Sequence, residues 1–555
     1  MFRTIILIRS DVNVKPYSKK IAFFLFSIIM FGIFLSKMRF FAEKNAKGFA
    51  RNPPHDIFYC RSAGKRSVAA PGVEINAYLY KGNGTMPAMI ARQYDEIYNL
   101  DDFYDISRRI VRCGEETEIS LTPRHPHRAW EFLLRQGEIA IRASHMDCVS
   151  MIDGHPYRDK DDCDLLPFAI EGNTLTVKVP AAPEGMISLL FVHNEGEKVR
   201  ELFTLEIYAL GDDLRDLRPY RGDFHLHTSF SACSKRYEDP RYVVSVGRAA
   251  GLDFIAVTDH CQIHGSEAAL EYARELETSY RVFPGEECHM PKKKFDDLFR
   301  VTGNYPWMHI VNFGGREGVC RWIHSHWDEY CAEIEKRMKN YPAEWHEDLR
   351  RLAAVTNFTF DKIHEFGGIA VFSHPFWISS HRLNLPRPVR EKMLEEGKFD
   401  VIEVPGLWKP FKPDLVDGND LADAMWHEAS IKAGHLLPIA GITDSHEAKA
   451  ALGSNTTVVF AADGSFDGIA SALRSGNAAT VTSIPGRVPT FRCRGPERLV
   501  AYTQFLLRNF YPIHDEYCRT EGNLMLAQLR GEVTMAEVNA YGRGRLEKLF
   551  KKFFG

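Results

Sequence analysis

Short runs in which apolar and polar residues alternate fill the chain from about residue 72 to 210. Alternation with a period of two is typical of β-strands that bury one face. Turn-forming stretches such as EGN and AAPEG separate the runs, and no helical pattern intervenes. This region therefore predicts an antiparallel, sandwich-like β domain. Its clearest runs are 117–123, 137–144, 173–179, 186–192 and 201–210.

The pattern changes at Gly222, after a polar stretch, 212–222, that we interpret as a linker. Apolar runs now alternate with helix-patterned segments, and this β/α order predicts buried parallel strands that close into a barrel. Functional residues of such barrels lie at the C-terminal ends of the strands. The apolar runs are 254–258, 368–372, 401–404 and 437–442.

Two helix-rich segments complete the predicted architecture. Residues 316–366 form a helical insertion in the barrel domain (221–490), long enough to act as a lid. Residues 491–555 form a helical C-terminal extension that ends in the basic, amphipathic stretch RGRLEKLFKKFFG. We expect this last helix to pack on its own protein, as surface helices usually do, although a membrane or nucleic acid is an alternative partner.

The N-terminal run 21–36 is apolar, uncharged and flanked by basic residues on both sides. It is marginal for a membrane helix, which needs roughly 20 apolar residues and at least about 17. For residues 1–40 three interpretations stay open: a membrane anchor, a start assigned too early with Met38 as the true start, and a signal peptide. The protein is expected to be cytoplasmic, or held at a membrane by this helix.

Composition narrows the class of partner. The chain has 70 basic and 73 acidic residues, so its net charge does not indicate a strongly charged partner such as nucleic acid. Eleven cysteines without a CxxC spacing indicate reduced thiols rather than a disulfide framework. Histidine stands out with 22 copies.

Nearly every predicted barrel strand ends in histidine or carboxylate side chains. On a strand, His225 and His227 face the same way, roughly 7 Å apart, so that both can bind one metal ion. A set this dense would leave several buried charges unpaired without a cation. The residues are His225 and His227, Asp259 and His260, Glu286 and Glu287, His309, His374, and Asp444 and His446.

The ordered motifs HLHTSFS, AVTDH, PGEE, MHI, FSHP and GITDSH resemble the PHP (polymerase and histidinol phosphatase) family over residues 221–490. The resemblance implies a distorted (β/α)7 barrel and a phosphoesterase with two or three divalent ions, for which zinc, manganese and iron are candidates. It implies that His225, His227 and Asp444 hold the first ion, that Glu287 bridges the first and second, that His309 and His374 complete the second, and that His260 and His446 hold the third. Glu286 is the rival for the bridge, but the spacing from Gly285 favours Glu287.

One position departs from the family pattern HxHTxxSDG: the aspartate, a ligand of the third metal, is Ala232 here. Either Cys233 or His264 replaces it as a ligand, since thiolate and imidazole suit zinc or iron. Alternatively the site holds two ions, and His260 and His446 remain as hydrogen-bonding groups. We favour two tight positions with a weak or absent third.

The expected reaction is hydrolysis of a phosphate monoester or diester by a metal-bridged hydroxide. His260, His446 or His264 would donate the proton to the leaving group. Lys235 and Arg236 could clamp a phosphate, although an adjacent basic pair in a loop is more often simply solvated.

The substrate is expected to be a small phosphate ester or a short nucleotide, because no stripe of aromatic and basic residues near the motifs indicates a long polynucleotide. Two alternatives stay open: a non-catalytic metal-binding or regulatory protein, and a hydrolase of a non-phosphate bond. Contact with a membrane through residues 21–36 also remains open.

Overall fold

The computed structural model describes residues 100–135, 137–147, 151, 163–196, 198–289, 309–376, 385–404, 418–484 and 490–555. All of them belong to one unit of the chain, Asn83–Gly555. Residues 1–40 lie outside the described residues, so the anchor hypothesis for the run 21–36 stays a prediction. None of the helices in the described ranges has both the length and the apolar character that a membrane span requires.

The described chain is a mixed α/β protein, and its first nine strands lie between residues 104 and 210. They form a four-stranded sheet in the order β1-β3-β7-β6 and a five-stranded sheet in the order β2-β9-β8-β4-β5. Only β2 and β9 pair in parallel. The strands are β1 Tyr104–Ile106, β2 Ile110–Arg112, β3 Thr117–Pro123, β4 Glu138–His145, β5 Asp164–Leu165, β6 Phe168–Glu171, β7 Thr174–Val179, β8 Gly185–Glu195 and β9 Lys198–Leu210.

These two sheets share one hydrophobic core. Period-two alternation puts Ile119 and Leu121 of β3 on the buried face, in the same cluster as Leu205 of the other sheet. Trp130, in the short helix α1 (Trp130–Leu134), is fully buried there, and its indole N–H donates to the carbonyl of Leu121 at 3.0 Å. Strands thus form where the alternation predicts them, while the domain limits 72–210 stay a prediction.

The remaining strands and helices follow in the second part of the chain. The strands are β10 Arg218–Asp223, β11 Phe254–Ala256, β12 Arg281–Phe283, β13 Gly285–Cys288, β14 Ile310–Phe313, β15 Ile369–Phe372, β16 Val401–Glu403, β17 Ile439–Ala440, β18 Asn455–Ala461, β19 Ala478–Ile484 and β20 Thr490–Arg494. The helices are α2 Asp212–Arg215, α3 Pro240–Ala249, α4 His264–Ala273, α5 Val319–Ser325, α6 Trp327–Arg337, α7 Glu347–Glu365, α8 Arg387–Glu396, α9 Gly418–Ala433, α10 Ala448–Ala451, α11 Phe466–Arg474, α12 Glu497–Asn509, α13 Tyr511–Leu529, α14 Met535–Gly542 and α15 Arg545–Phe554.

The later strands form two sheets, in the orders β12-β11-β10-β18-β19-β20 and β13-β14-β15-β16-β17. Neighbours pair in parallel from β10 to β12 and from β15 to β17. Strand β14 is antiparallel to both of its neighbours, and β18 is antiparallel to β10. The expectation that parallel strands alone build this region is therefore wrong. Among the described residues the strands form two sheets, and two isolated backbone bridges, Leu226 with Ser445 and His260 with Glu287, link the ends of their strands.

The predicted linker, 212–222, is wrong, because its residues form helix α2 and most of strand β10. Arg221 is fully buried in β10, where its guanidinium pairs with Asp515 of α13 and donates to the carbonyl of Gly251 at 2.6 and 2.9 Å. A polar stretch can thus be buried, because a partner nearly 300 residues away in the chain neutralises its charge.

Helices lie in both predicted helical segments, with two corrections. Within 316–366, helices α5, α6 and α7 share a hydrophobic core with β14 and β15, so they form a packed layer on the sheet and not a lid. Residues 490–494 form strand β20, where we expected the helical extension to begin. Leu549 and Phe553 of α15 are buried with Phe510, so the basic terminal helix packs on its own protein, as expected.

Candidate metal centre

Eight residues from the predicted set lie together where strands of the two sheets end. Seven of them are His225 and His227 after β10, His260 after β11, Glu287 in β13, His374 after β15, and Asp444 and His446 after β17. The eighth, His309, immediately precedes β14. Because β14 runs against its neighbours, its beginning lies at the edge where they end. The antiparallel strand therefore brings His309 to the site.

The carboxylate of Glu287 is at the centre of this cluster and is completely buried. Five imidazole nitrogens face its two oxygens. Oε1 lies 2.6 Å from Nδ1 of His309 and 3.2 Å from Nε2 of both His225 and His374, and Oε2 lies 2.6 Å from Nδ1 of His260 and 3.3 Å from Nε2 of His227.

Asp444 supplies the second carboxylate of the cluster. Its Oδ1 lies 2.8 Å from Nε2 of His227 and 3.4 Å from Nε2 of His225. The backbone of Asp444 has a φ of 49°, in the left-handed region that non-glycine residues seldom adopt. Among the described residues, Cys261, next to His260, is the other non-glycine position of this kind. Backbone strain at such positions is typical of functional sites.

Hydrogen bonds determine which nitrogen of His225 and of His227 faces the carboxylates. Nδ1 of His225 donates to the buried carboxylate of Glu403 at 3.0 Å. Nδ1 of His227 donates to the Ser231 hydroxyl at 3.1 Å, because that hydroxyl gives its own hydrogen to Asp259 at 2.5 Å. In the neutral rings Nε2 then presents a lone pair, and both Nε2 atoms face carboxylate oxygens.

Burial by itself favours the neutral acid at both central carboxyl groups, yet the surrounding imidazoles outweigh it. The pKa of Glu287 is held well below its usual range, chiefly by His309, His260 and His225. Asp444 shows the same direction, because His225 and His227 lower its pKa. Both groups are therefore carboxylates at neutral pH.

The imidazoles of the site differ in the direction in which their pKa values are shifted. Burial lowers the pKa of His227 and of His309 to about 4. For His260, burial opposes protonation, but Glu287 raises the pKa to about 11. His446 is similar, since Cys233 and Asp444 raise its pKa to about 9 against the effect of burial. Without a metal ion, protons on some of the rings balance the buried carboxylates.

The residues present fit divalent metal ions. Buried atoms without a hydrogen-bond partner include Nε2 of His225, Nδ1 of His260 and Oε2 of Glu287. Unshared imidazole nitrogens and carboxylate oxygens are the ligand atoms that zinc, manganese and iron bind. Two groups have ligand atoms within 4.8 Å of one another: His225, His227, Glu287 and Asp444, and His260, Glu287 and His309. Glu287 belongs to both groups.

Glu403 is a site residue to which the sequence analysis assigned no role. It is the last residue of β16, is fully buried, and orients His225 through the bond at Nδ1. The sequence contained a signal for this role, because a carboxylate in the buried strand VIEV is costly to bury unless it has a partner.

Glu286, the rival for the bridge, lies on the other side of β13, as alternation along a strand requires. Its carboxylate accepts from the backbone N–H of Cys320 at 3.2 Å, and burial raises its pKa well above the usual range. The thiol of Cys288 lies 3.6 Å from it, and Cys320 contacts both Cys288 and Cys261. These three cysteines, of which Cys288 and Cys320 are buried, form a thiol layer behind the site.

Three predicted residues lie at the surface. Lys235 and Arg236 are exposed in the loop between β10 and α3, and His264 is the exposed first residue of α4. Within the described part of the chain, none of the contacts that join the site histidines involves His264. Conversely, His289, which we did not predict, stacks on His309 with ring centroids 4.8 Å apart.

Cys233 lies beside His260 and His446, next to the alanine at position 232. Burial raises the pKa of its thiol, but hydrogen bonds with these two histidines bring it down to about 7. Together with His227, the three residues place one possible ligand atom each within 4.8 Å of one another.

No family model matches the chain, and no curated protein matches it. Among solved structures, a two-domain protein from Bacteroides vulgatus, containing a predicted PHP-like metal-dependent phosphoesterase, is 17% identical with a TM-score of 0.30, over 48% of this chain and 66% of that one. An amidohydrolase from Chromobacterium violaceum, with bound sulfate and no metal, is 16% identical with a TM-score of 0.25, over 40% of this chain and 87% of that one.

A third similar structure is Endonuclease Q in complex with a 27-mer duplex that carries an abasic lesion at the active site. It is 13% identical with a TM-score of 0.27, over 47% of this chain and 58% of that one. The chain thus spans less than two thirds of the first and third structures. Because the identities and TM-scores are low, the function is argued below from the residues of this chain.

Proposed function

We propose that this protein is a metal-dependent phosphoesterase of the PHP type. The observation on which the proposal depends is the pair of Nε2 atoms, from His225 and His227, that face the carboxylates of Glu287 and Asp444 in a buried cluster. Lone pairs and carboxylate oxygens repel one another unless a cation or additional protons lie between them. The ordered motifs from HLHTSFS to GITDSH support the PHP assignment.

His225, His227 and Asp444 would hold one ion, His309 and His374 a second, and Glu287 would bridge the two. When bound, such ions lower the pKa of a coordinated water and neutralise charge on a phosphoryl group. The hydrogen bonds from His225 to Glu403 and from His227 to Ser231 orient the two rings in advance, so that their Nε2 atoms need no rearrangement.

When the additional position beside it holds no ion, His446 is suited to the transfer of a proton to the leaving group. Its Nδ1 donates to the carbonyl of Asp444 at 2.8 Å, which leaves Nε2 for the substrate. Its side chain is 35% exposed, compared with 0% for His225 and His227. A group at the opening of the site can take a proton from solvent after each turnover.

The positions of Lys235 and Arg236 favour the hypothesis of a phosphorylated substrate. Both are exposed basic side chains in the loop between β10 and α3. A small phosphate ester that reaches the buried carboxylates would pass this loop, where the cations offset its charge. The proposed substrate is accordingly a phosphate monoester or diester of small size.

We also propose that the two later sheets are parts of one distorted barrel. Strands β12 and β13 follow each other with only Pro284 between them. At the other junction, the Thr457 hydroxyl of β18 accepts from the N–H of Gly441, just after β17, and donates to its carbonyl, both at 2.9 Å. Backbone bridges also link the sheets at both junctions, between Leu226 and Ser445 and between His260 and Glu287.

The test uses the full chain, stripped of metal and reloaded separately with zinc, manganese and iron(II). Hydrolysis of bis- and mono-p-nitrophenyl phosphate is measured beside p-nitrophenyl acetate. We expect metal-dependent hydrolysis of a phosphate ester that falls at least about 100-fold in Glu287→Gln and Asp444→Asn. His435→Ala, at an exposed site in the loop after α9, is the matched control and should keep full activity.

Other outcomes would contradict the proposal in distinguishable ways. Turnover of the acetate ester alone would indicate a hydrolase of a non-phosphate bond. Bound metal without turnover of any ester would indicate a binding or regulatory protein.

A further inference from the structure

We propose that Cys233 is a thiolate ligand of an additional metal position, which it forms with His260 and His446. The inference rests on the proposed function, because the position adjoins the metal centre and lies beside its ligand His227. At position 232 this chain has alanine in place of the aspartate of the motif, and the thiol of the neighbouring Cys233 would supply the missing ligand atom.

The four side chains converge at one place. One ligand atom from each lies within 4.8 Å of the other three. The ring of His227 is 4.4 Å from the ring of His260 and 4.3 Å from that of His446, measured between centroids. Cys233 hydrogen-bonds with both His260 and His446. His260, His446 and the Cys233 thiolate supply three of the four ligands of a tetrahedral zinc site and leave the fourth position open for water or substrate.

The loop from residue 228 to 234 is held in the conformation that presents Cys233. The backbone N–H of Ser231 donates to the carbonyl of Thr228 at 2.9 Å, and that of Ser234 donates to the carbonyl of Ser231 at 3.0 Å. The Ser231 hydroxyl accepts from the N–H of His260 at 3.1 Å, and the Ser234 hydroxyl donates to the carbonyl of His446 at 3.1 Å. The turn is thus fastened to two of the proposed ligands.

The ligand types determine which ion this position prefers. The position around Glu287 and Asp444 offers oxygen as well as nitrogen, and it can accept manganese. Sulfur with the imidazoles of His260 and His446 favours softer ions such as zinc, iron(II) or cobalt(II) and disfavours magnesium and calcium. Cys233 is also exposed, so that the ion here can exchange with solvent and contact a substrate.

The test loads the metal-free full chain with cobalt(II), whose bonds to thiolate produce a charge-transfer band in the near ultraviolet. Bound cobalt is counted by elemental analysis, and spectra are compared for the unchanged protein, Cys233→Ser and Cys233→Ala. Two control variants keep the proposed thiol: Cys493→Ser in β20, and Cys320→Ser in the thiol layer behind Glu286.

We expect the band in the unchanged protein and in both controls. Both substitutions of Cys233 should abolish it and remove one equivalent of cobalt. A band that survives in Cys233→Ser, or cobalt binding with no such band in any protein, would overturn the inference and leave the proposed metal centre intact. If the unchanged protein binds no cobalt, the proposed function fails as well.

Discussion

Replacement of Asp515 with asparagine tests how the C-terminal helices hold the strand that leads to the metal centre. Asp515, in α13, pairs with Arg221 of β10, and His225 follows β10 by two residues. The side chains of Arg221 and Asp515 are 0% and 3% exposed. The guanidinium also lies over the ring of Tyr511, 4.2 Å from its centroid.

The pair belongs to a larger buried network in which charges balance. Arg248 pairs with Glu521 at 2.9 Å, and His514 lies between Asp253, at 2.7 Å, and Asp515, at 3.2 Å. Burial opposes a charge on His514, but Asp253 and its other neighbours raise its pKa well above the usual range. Two arginines and a protonated histidine therefore face three carboxylates.

Asp515→Asn leaves one buried positive charge without a counter-charge, which costs about 3–5 kcal/mol. The part of the chain from β10 to the C-terminus has roughly 340 residues. At about 2.1 cal/mol/K per residue, the unfolding entropy of this part is about 0.7 kcal/mol/K. The free-energy loss divided by this entropy gives a fall of about 4–7 °C in the thermal midpoint.

The assay is thermal unfolding of the full chain, followed by circular dichroism at neutral pH. Arg530→Gln is the control, because the ion pair of Arg530 with Glu532 is exposed and should contribute little. The double variant Arg221→Met/Asp515→Leu should regain much of the loss, since an apolar pair leaves no unpaired charge. If Asp515→Asn shifts the midpoint no more than Arg530→Gln does, the reasoning is wrong.

Three further predictions concern the metal centre. Glu403→Gln should weaken metal binding by about 10- to 100-fold, because the ring of His225 loses its negatively charged acceptor; a metal titration measures this, and unchanged affinity would contradict it. Removal of metal with a chelator should lower the thermal midpoint of the unchanged protein more than that of Glu287→Gln, which lacks the bridging carboxylate; equal shifts would argue against that role. In the metal-free protein His446 has a pKa raised to about 9, so its stabilisation is complete below its ordinary value of about 6.5 and disappears as the pH rises through about 9. The midpoint should therefore fall over that interval, less steeply in His446→Gln, and identical profiles would refute the assignment.

Much of the fold could be predicted from local pattern. Alternation located β3, β4 and β7 to within a residue or two, because a strand with one buried face must repeat every second residue. The strand–helix alternation after residue 222 similarly located β11, β15, β16 and β17. The direction of β14 could not be predicted, since a short buried strand has the same apolar pattern whether it runs parallel or antiparallel.

At the candidate site, too, some features could be predicted from the sequence and others could not. Imidazoles and carboxylates at strand ends could be identified residue by residue, because the residue type alone specifies the chemistry of each side chain. Their metal-binding and proton-donating roles stay predictions. The contacts of Cys233 with His260 and His446 depend on the turn at residues 228–234, and the role of Glu403 depends on its distance from His225.

The sequence by itself determined the order of strands and helices and the kinds of side chain at the strand ends, because both follow from local periodicity and residue chemistry. Only the tertiary structure decided which charges neutralise one another. Arg221 belongs to a stretch polar enough to be taken for a linker, yet it is buried because Asp515 reaches it from α13. Burial of a charge depends on a partner in space, and local sequence does not contain that information.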